Sequence, residues 1–211
     1  MGELRDYLAW HDDYERPGSS LHRRLQVVVR MTRRAMDELP AGPIRVVSLC
    51  AGQGADILGA AEGHPRAGDL RGRLVELERD NVERARRRAA ELGLALEAVE
   101  GDASTSDAYV GAAPAELVLA CGIFGNISAE DIERTVRFLP SLCSPGARVL
   151  WTRHARDPAL LARVQGWFVD AGMEPVEAEV ADDASYGVGL NRLVVEPPPL
   201  VPGQHLFTFT R

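Results

Sequence analysis

A chain that runs Arg45-Val46-Val47-Ser48-Leu49-Cys50-Ala51-Gly52-Gln53-Gly54-Ala55-Asp56 has few folds open to it. The apolar run Val46, Val47, Leu49 and Cys50 suits a strand covered on both faces, as in a parallel sheet. Gly52 and Gly54 then permit a tight turn and let the main chain approach a ligand with no side chain between them. A helix opens directly afterwards. Strand, glycine turn and helix together form the first unit of a doubly wound α/β domain, and a nucleoside-bearing molecule is the expected occupant of the turn.

The rest of the chain repeats that alternation. Strands are expected near 45–50, 72–77, 95–100, 116–121, 147–153, 175–180 and 204–210, with helices near 54–62, 79–92, 104–110, 128–139 and 158–171. Before them, Leu21, Leu25, Val28, Thr32, Ala35, Met36 and Leu39 recur at helical spacing, between Pro17-Gly18-Ser19-Ser20 and Pro40. The expected organisation is an N-terminal helical extension or lid over 1–40, then a Rossmann-like domain over 41–211 built on a seven-stranded, mostly parallel sheet. Residues 181–203 carry no strong helical signal, so the final strand, 204–210, is expected to pair antiparallel with its predecessor.

Composition narrows the partners. The 211 residues suit one domain with a sizeable core, and 45% hydrophobic with 26% charged content is ordinary for a globular chain. A net charge of −7 argues against a polyanionic partner held by bulk electrostatics, so no nucleic acid is expected. The arginine-rich stretches at 23–34 and 79–88 read as solvated helix faces. No apolar run approaches the roughly 20 residues that span a bilayer, and Met1-Gly2-Glu3-Leu4-Arg5-Asp6 lacks the pattern of a signal peptide. Cys50, Cys121 and Cys143 are odd in number and sit in expected core elements, which fits a reducing cytoplasm. No His/Cys cluster has metal-ligand spacing, so no metal is expected. Nothing in the pattern sets an oligomeric state.

Ligands in an open α/β sheet bind beyond the carboxyl ends of the strands. Chemistry-bearing residues stand there in succession: Cys50, Ala51, Gly52 and Gly54 after the first strand, Glu76 at the second, Asp102-Ala103 after the third, and Cys121-Gly122 after the fourth. A dinucleotide site favours a third glycine and a helix N-terminus facing pyrophosphate. Here that third position is Ile57, and Asp56 places a carboxylate where phosphate would sit. The charge suits a cofactor with a cationic or amino-bearing end, and S-adenosyl-L-methionine has both a sulfonium and an ammonium group.

Over roughly residues 43–153 the chain resembles the class I S-adenosylmethionine-dependent methyltransferases. Val47-Ser48-Leu49-Cys50-Ala51-Gly52-Gln53-Gly54 is similar to the first motif, departing from it at Ser48 and Ala51. Leu74-Val75-Glu76-Leu77-Glu78-Arg79-Asp80-Asn81 is similar to the second. The resemblance implies that Glu76 binds the ribose, with Glu78 a competitor because alternation gives it the same facing. It also implies that Asp102 in Gly101-Asp102-Ala103 receives the adenine amino group, and that the end of Glu116-Leu117-Val118-Leu119-Ala120-Cys121-Gly122 faces the methyl group.

For the acceptor, a metal-independent, in-line methyl transfer to a small molecule is the expectation. The fourth motif lacks the Asn/Asp-Pro-Pro-aromatic sequence of enzymes that methylate base nitrogens, and the paired acids of magnesium-dependent catechol-type enzymes are missing. Trp10, Tyr14, Asn126, Arg153, Tyr186 and Asn191 are candidate substrate contacts. His154, then His11, are candidate bases, needed only if the acceptor must lose a proton. The alternatives are another reaction of S-adenosylmethionine, such as cyclisation, and a nicotinamide-dependent oxidoreductase.

Overall fold

In the computed structural model, which describes residues 16–210, the apolar stripe after Ser19 becomes helix α1 (Ser20–Glu38). Ser19 Oγ caps it by accepting from His22 N at 3.0 Å. Val27, Val28, Met31, Thr32, Ala35 and Met36 are buried along one stripe, so α1 is a packed layer of the domain.

The sheet contains β1 (Ile44–Leu49), β2 (Leu70–Glu76), β3 (Ala95–Glu100), β4 (Ala115–Ala120), β5 (Cys143–Arg153), β6 (Met173–Val180) and β7 (Gly187–Leu193). Their order is β3-β2-β1-β4-β5-β7-β6. The first five pair in parallel, and β7 lies antiparallel between β5 and β6. Helices α2 (Ala55–Ala61) and α3 (Arg79–Glu91) join α1 on one face, where Val46, Leu74, Leu117 and Leu150 meet them. Helices α4 (Ala129–Phe138) and α5 (Pro158–Asp170) cover the other, against Val47, Val118, Val149 and Trp151. Ser128 caps α4 by accepting from Asp131 N, and Asp157 caps α5 by accepting from Leu160 N. The strand order turns around between β1 and β4, which sets the binding crevice at their carboxyl ends.

Two expectations need correction. The last strand is antiparallel, but it is Gly187–Leu193; the 204–210 segment makes only the isolated bridges Thr105↔His205 and Ile127↔Phe209. Glycines hid the true strand from a pattern reading. At Gly189 a β-carbon would come within 2.4 Å of the Trp151 indole, so close approach of a neighbour requires glycine there. The helix expected near 104–110 is one 3-10 turn, Ser106–Tyr109.

Candidate active site

The glycine turn is built from left-handed backbone. Cys50, Gly52 and Gly54 have φ of 48°, 56° and 70°. Cys50 holds a conformation that ordinarily favours glycine. Ala51 N donates to Val75 O at 2.9 Å and Gly54 N to Ala51 O at 2.8 Å, which ties the turn to β2 before α2 begins.

Glu76 closes that turn from beside it. Its Oε2 accepts from Gly52 N at 2.7 Å, and its Oε1 accepts from Glu78 N at 3.0 Å. The side chain is buried at the end of β2, whereas Glu78 is exposed one residue before α3. Asp102 Oδ1 accepts from Ser104 N at 2.8 Å, shaping the loop after β3. Tyr109, fully buried, donates its hydroxyl to Ala103 O and braces the same loop. Burial, then the nearby carboxylates of Glu76 and Asp102, push the Cys50 thiol up, so this cysteine is an inert floor between the two acids.

Asp56 turns inward. Only 8% exposed, it accepts from Ile57 N at 2.7 Å, and Cys121 lies near enough to feel its charge. Burial raises the Asp56 carboxyl above its ordinary value, opposed by the Ile57 N–H and by the Arg24 cation from α1. The same burial, with Asp56 beside it, raises the Cys121 thiol, which disfavours a nucleophilic role. Thr152 Oγ1 accepts from Gly122 N at 2.8 Å and fixes the start of the loop after β4. A β-carbon on Gly122 would meet nothing within 4 Å, so this loop borders open space.

Farther along that loop, Asn126 Nδ2 donates to Gly122 O at 2.8 Å, closing the loop on itself. His154 stands against it, its Cδ2 3.4 Å from where a Gly125 β-carbon would lie. Arg153 is buried at the end of β5, and its Nη1 donates to His154 O at 2.8 Å and lies 3.3 Å from His154 Nδ1. A guanidinium only donates, so in this contact His154 Nδ1 stands on the acceptor side.

The remaining candidate contacts divide three ways. Tyr186 is buried beside the start of β7, where burial raises its hydroxyl. Asn191 does not precede the last strand; it lies within β7, paired with Val149. Its Oδ1 accepts from Trp151 Nε1 at 2.9 Å and its Nδ2 donates to Met173 O at 3.3 Å, away from the carboxyl edge. A groove of about 350 Å³ between α5 and β6 runs past it. Trp10, His11 and Tyr14 lie outside the described residues. Among those described, no group of three or more His, Cys, Asp or Glu is placed to hold a metal, and no helix is long and apolar enough to cross a membrane.

Sequence reasoning missed two features here. Leu77, 65% exposed beside Glu76, is an apolar side chain left uncovered at the crevice, and its signal was an apolar residue directly after a strand-ending acid. Tyr109 gave no signal, because its role depends on a carbonyl six residues away that only the 3-10 turn brings within reach.

No protein-family model and no curated protein matches the sequence. Solved structures do match its fold. An O-methyltransferase family 2 protein from Planctomyces limnophilus, in complex with apigenin, superposes with a TM-score of 0.59 at 19% identity, over 80% of this chain and 61% of that one. Aeropyrum pernix fibrillarin with natively bound S-adenosyl-L-methionine gives 0.60 at 15% identity, over 79% and 74%. The chain carries the class I methyltransferase fold. It spans less than two thirds of the Planctomyces protein. The methyltransferase fold also serves other reactions: the [4+2]-cyclase SpnF superposes at 0.57 with 14% identity, over 79% of this chain and 81% of that one.

Proposed function

We propose that this protein is an S-adenosyl-L-methionine-dependent methyltransferase that acts on a small-molecule acceptor without a metal. The observation that carries the reading is Glu76. A buried carboxylate at the end of β2 gathers the Gly52 N–H from a left-handed glycine turn, while Asp102 and the uncovered Leu77 stand beside it. Such an acid can accept ribose hydroxyls, an apolar side chain can cover a purine face, and a loop-end acid can accept an exocyclic amine. Glu78, exposed and preceding α3, is the weaker claimant to the ribose.

The residues fit the cofactor at its other end too. Gly122 borders open space that can take the amino-acid end of the cofactor. Bound there, the cofactor supplies an electrophilic methyl group on sulfur. The chain's own work is then to orient the acceptor and exclude water. We assign His154, beside the Arg153 guanidinium, to the acceptor's side of the site. An acceptor that must lose a proton would need a base, with His154 the first candidate and His11 the second. The extension over 1–40 is proposed to close over the acceptor from α1 outward.

Isothermal calorimetry with S-adenosylmethionine, S-adenosylhomocysteine and NAD tests the cofactor. Micromolar binding of the first two is expected, and binding of NAD alone would overturn the reading. The likeness to SpnF favours one second reading, a cyclisation in the same site. Release of S-adenosylhomocysteine during turnover separates methyl transfer from it.

A further inference from the structure

The segment that sequence pattern marks as a seventh strand runs across the carboxyl edge of the sheet. We propose that Gly203–Thr210 is a strap that sets the distance between the two walls of the crevice: the 102–107 loop after β3 and the 122–128 loop after β4. The proposal rests on the functional reading above only in calling that crevice the cofactor's.

The bonds run to both walls, and Leu206 joins them. Its N–H goes to the first, and its O accepts from Thr135 Oγ1 of α4 at 3.4 Å and Arg134 Nη1 at 3.5 Å. On the first, Gly203 N donates to Asp107 Oδ2 at 3.0 Å, Gln204 N to Ser106 Oγ at 2.9 Å and Leu206 N to Ser104 O at 2.7 Å, while Ser106 N donates back to Gln204 O at 3.0 Å. On the second, Thr208 N donates to Asp131 Oδ2 at 3.0 Å and Thr210 N to Asn126 O at 2.9 Å. The alternate N–H groups of Gln204, Leu206, Thr208 and Thr210 thus point along one edge. The first pair goes to the 102–107 loop, the second to Asp131 in the first turn of α4 and to Asn126 in the 122–128 loop. Leu206 and Phe207 are buried and anchor the middle of the strap in the core.

Geometry explains why a separate device is needed. In the order β3-β2-β1-β4 the two loops belong to strands three positions apart, about 14 Å at the usual strand spacing. No β-ladder joins them directly. The strap's bridges at His205 and Phe209 are four residues apart, about 13 Å of extended chain. The strap therefore matches the span it crosses. One wall bears Asp102 and the other Gly122 and Asn126, so a change in their separation moves groups that face opposite ends of one ligand. Asp131, Ser106 and the strap's own N–H groups are positioning residues.

Hydrogen exchange on the full chain, read by mass spectrometry, tests the coupling without any ligand. Ser106→Ala removes an acceptor at the first wall only. Peptides covering 122–128 are expected to exchange roughly tenfold faster, the size of one lost bond, while β6 is unchanged. Asp131→Ala is expected to speed 102–107 reciprocally, and Asp131→Asn, which keeps an acceptor oxygen, to restore it. Should either alanine variant fail to fold, Thr210→Pro deletes one N–H near the chain end and is expected to free both loops. Faster exchange confined to the loop that was mutated would overturn the strap. Calorimetry with S-adenosylhomocysteine adds a second reading, with a roughly tenfold higher Kd expected in both alanine variants. Unchanged affinity in variants whose far loop does loosen would remove the crevice from the proposal. A wild-type protein that does not bind S-adenosylhomocysteine defeats the functional reading, and the exchange results still decide the strap.

Discussion

The β1–β4 half of the sheet and the β5–β7 half are held by different forces. At the ends of β1–β3, carboxylates accept bonds from main-chain N–H groups: Glu76 from Gly52 and Glu78, Asp102 from Ser104. These contacts are short in sequence or follow from parallel register, and they form the crevice before any ligand arrives. Across β6 and β7 the contacts join side chains far apart in the chain. Arg30 meets Glu177 and Glu179 at 2.9 Å, Arg34 meets Glu177 at 2.8 Å, and Arg23 meets Asp183. One half is a preorganised edge in which carboxylates hold main-chain N–H groups. The other is a clamp that holds α1 against the far edge of the sheet.

Substitutions can break that contrast. The largest effect is expected from Glu76→Ala, which strips acceptors from two N–H groups as well as from the ligand. The Kd for S-adenosylmethionine should rise ten- to a hundredfold, about 1–3 kcal/mol by calorimetry, whereas Glu78→Ala should change it little. Equal losses from the two would erase the distinction drawn between them. In the other half, Gly189→Ala drives a β-carbon into the Trp151 indole. A stability loss of about 1–3 kcal/mol in denaturant unfolding is expected, with cofactor affinity in the surviving folded protein close to wild type.

Asp56 sharpens the comparison through pH. Burial raises its folded-state value above the ordinary 3.8, so the fold favours the neutral carboxyl. Its contribution to stability is complete below that ordinary value and is lost as pH rises through the folded one. Asp56→Asn mimics the neutral form. It should therefore melt higher than wild type at neutral pH, with the advantage shrinking as pH falls toward 3.8. A constant difference in Tm across that range would show that ionisation of Asp56 is not the cause. The smallest effect belongs to the clamp: Arg30→Ala should cost about 0.2–1 kcal/mol, and half-molar salt should reduce the difference further, because these pairs are largely solvent-exposed.

Much of the local structure at this edge is legible in the sequence. An apolar run into Gly52 and Gly54 can hardly be anything but a buried strand and turn, and Glu76, Asp102 and Gly122 follow their strands at positions set by period and punctuation. Choosing Glu76 over Glu78 was different. Alternation gives both the same facing, and only the end of β2 at Glu76 and the reach to Gly52 N separate them. Asp56 was placed at the first turn of α2, but its inward rotation toward Cys121 depends on β4 and β5. Asn191 was misplaced along with its strand.

Sequence by itself determined the first five strands, the helices after β1, β2, β4 and β5 and the glycine turn, because those follow from local periodicity and from backbone angles that few residues adopt. Tertiary structure alone decided that Gly187–Leu193 is a strand and Gln204–Thr210 a strap. The alternating 204–210 segment has the better strand pattern, yet a strand needs a free partner edge. Gly189, poor in strand propensity, takes the place beside β5 because only a residue without a side chain fits against Trp151.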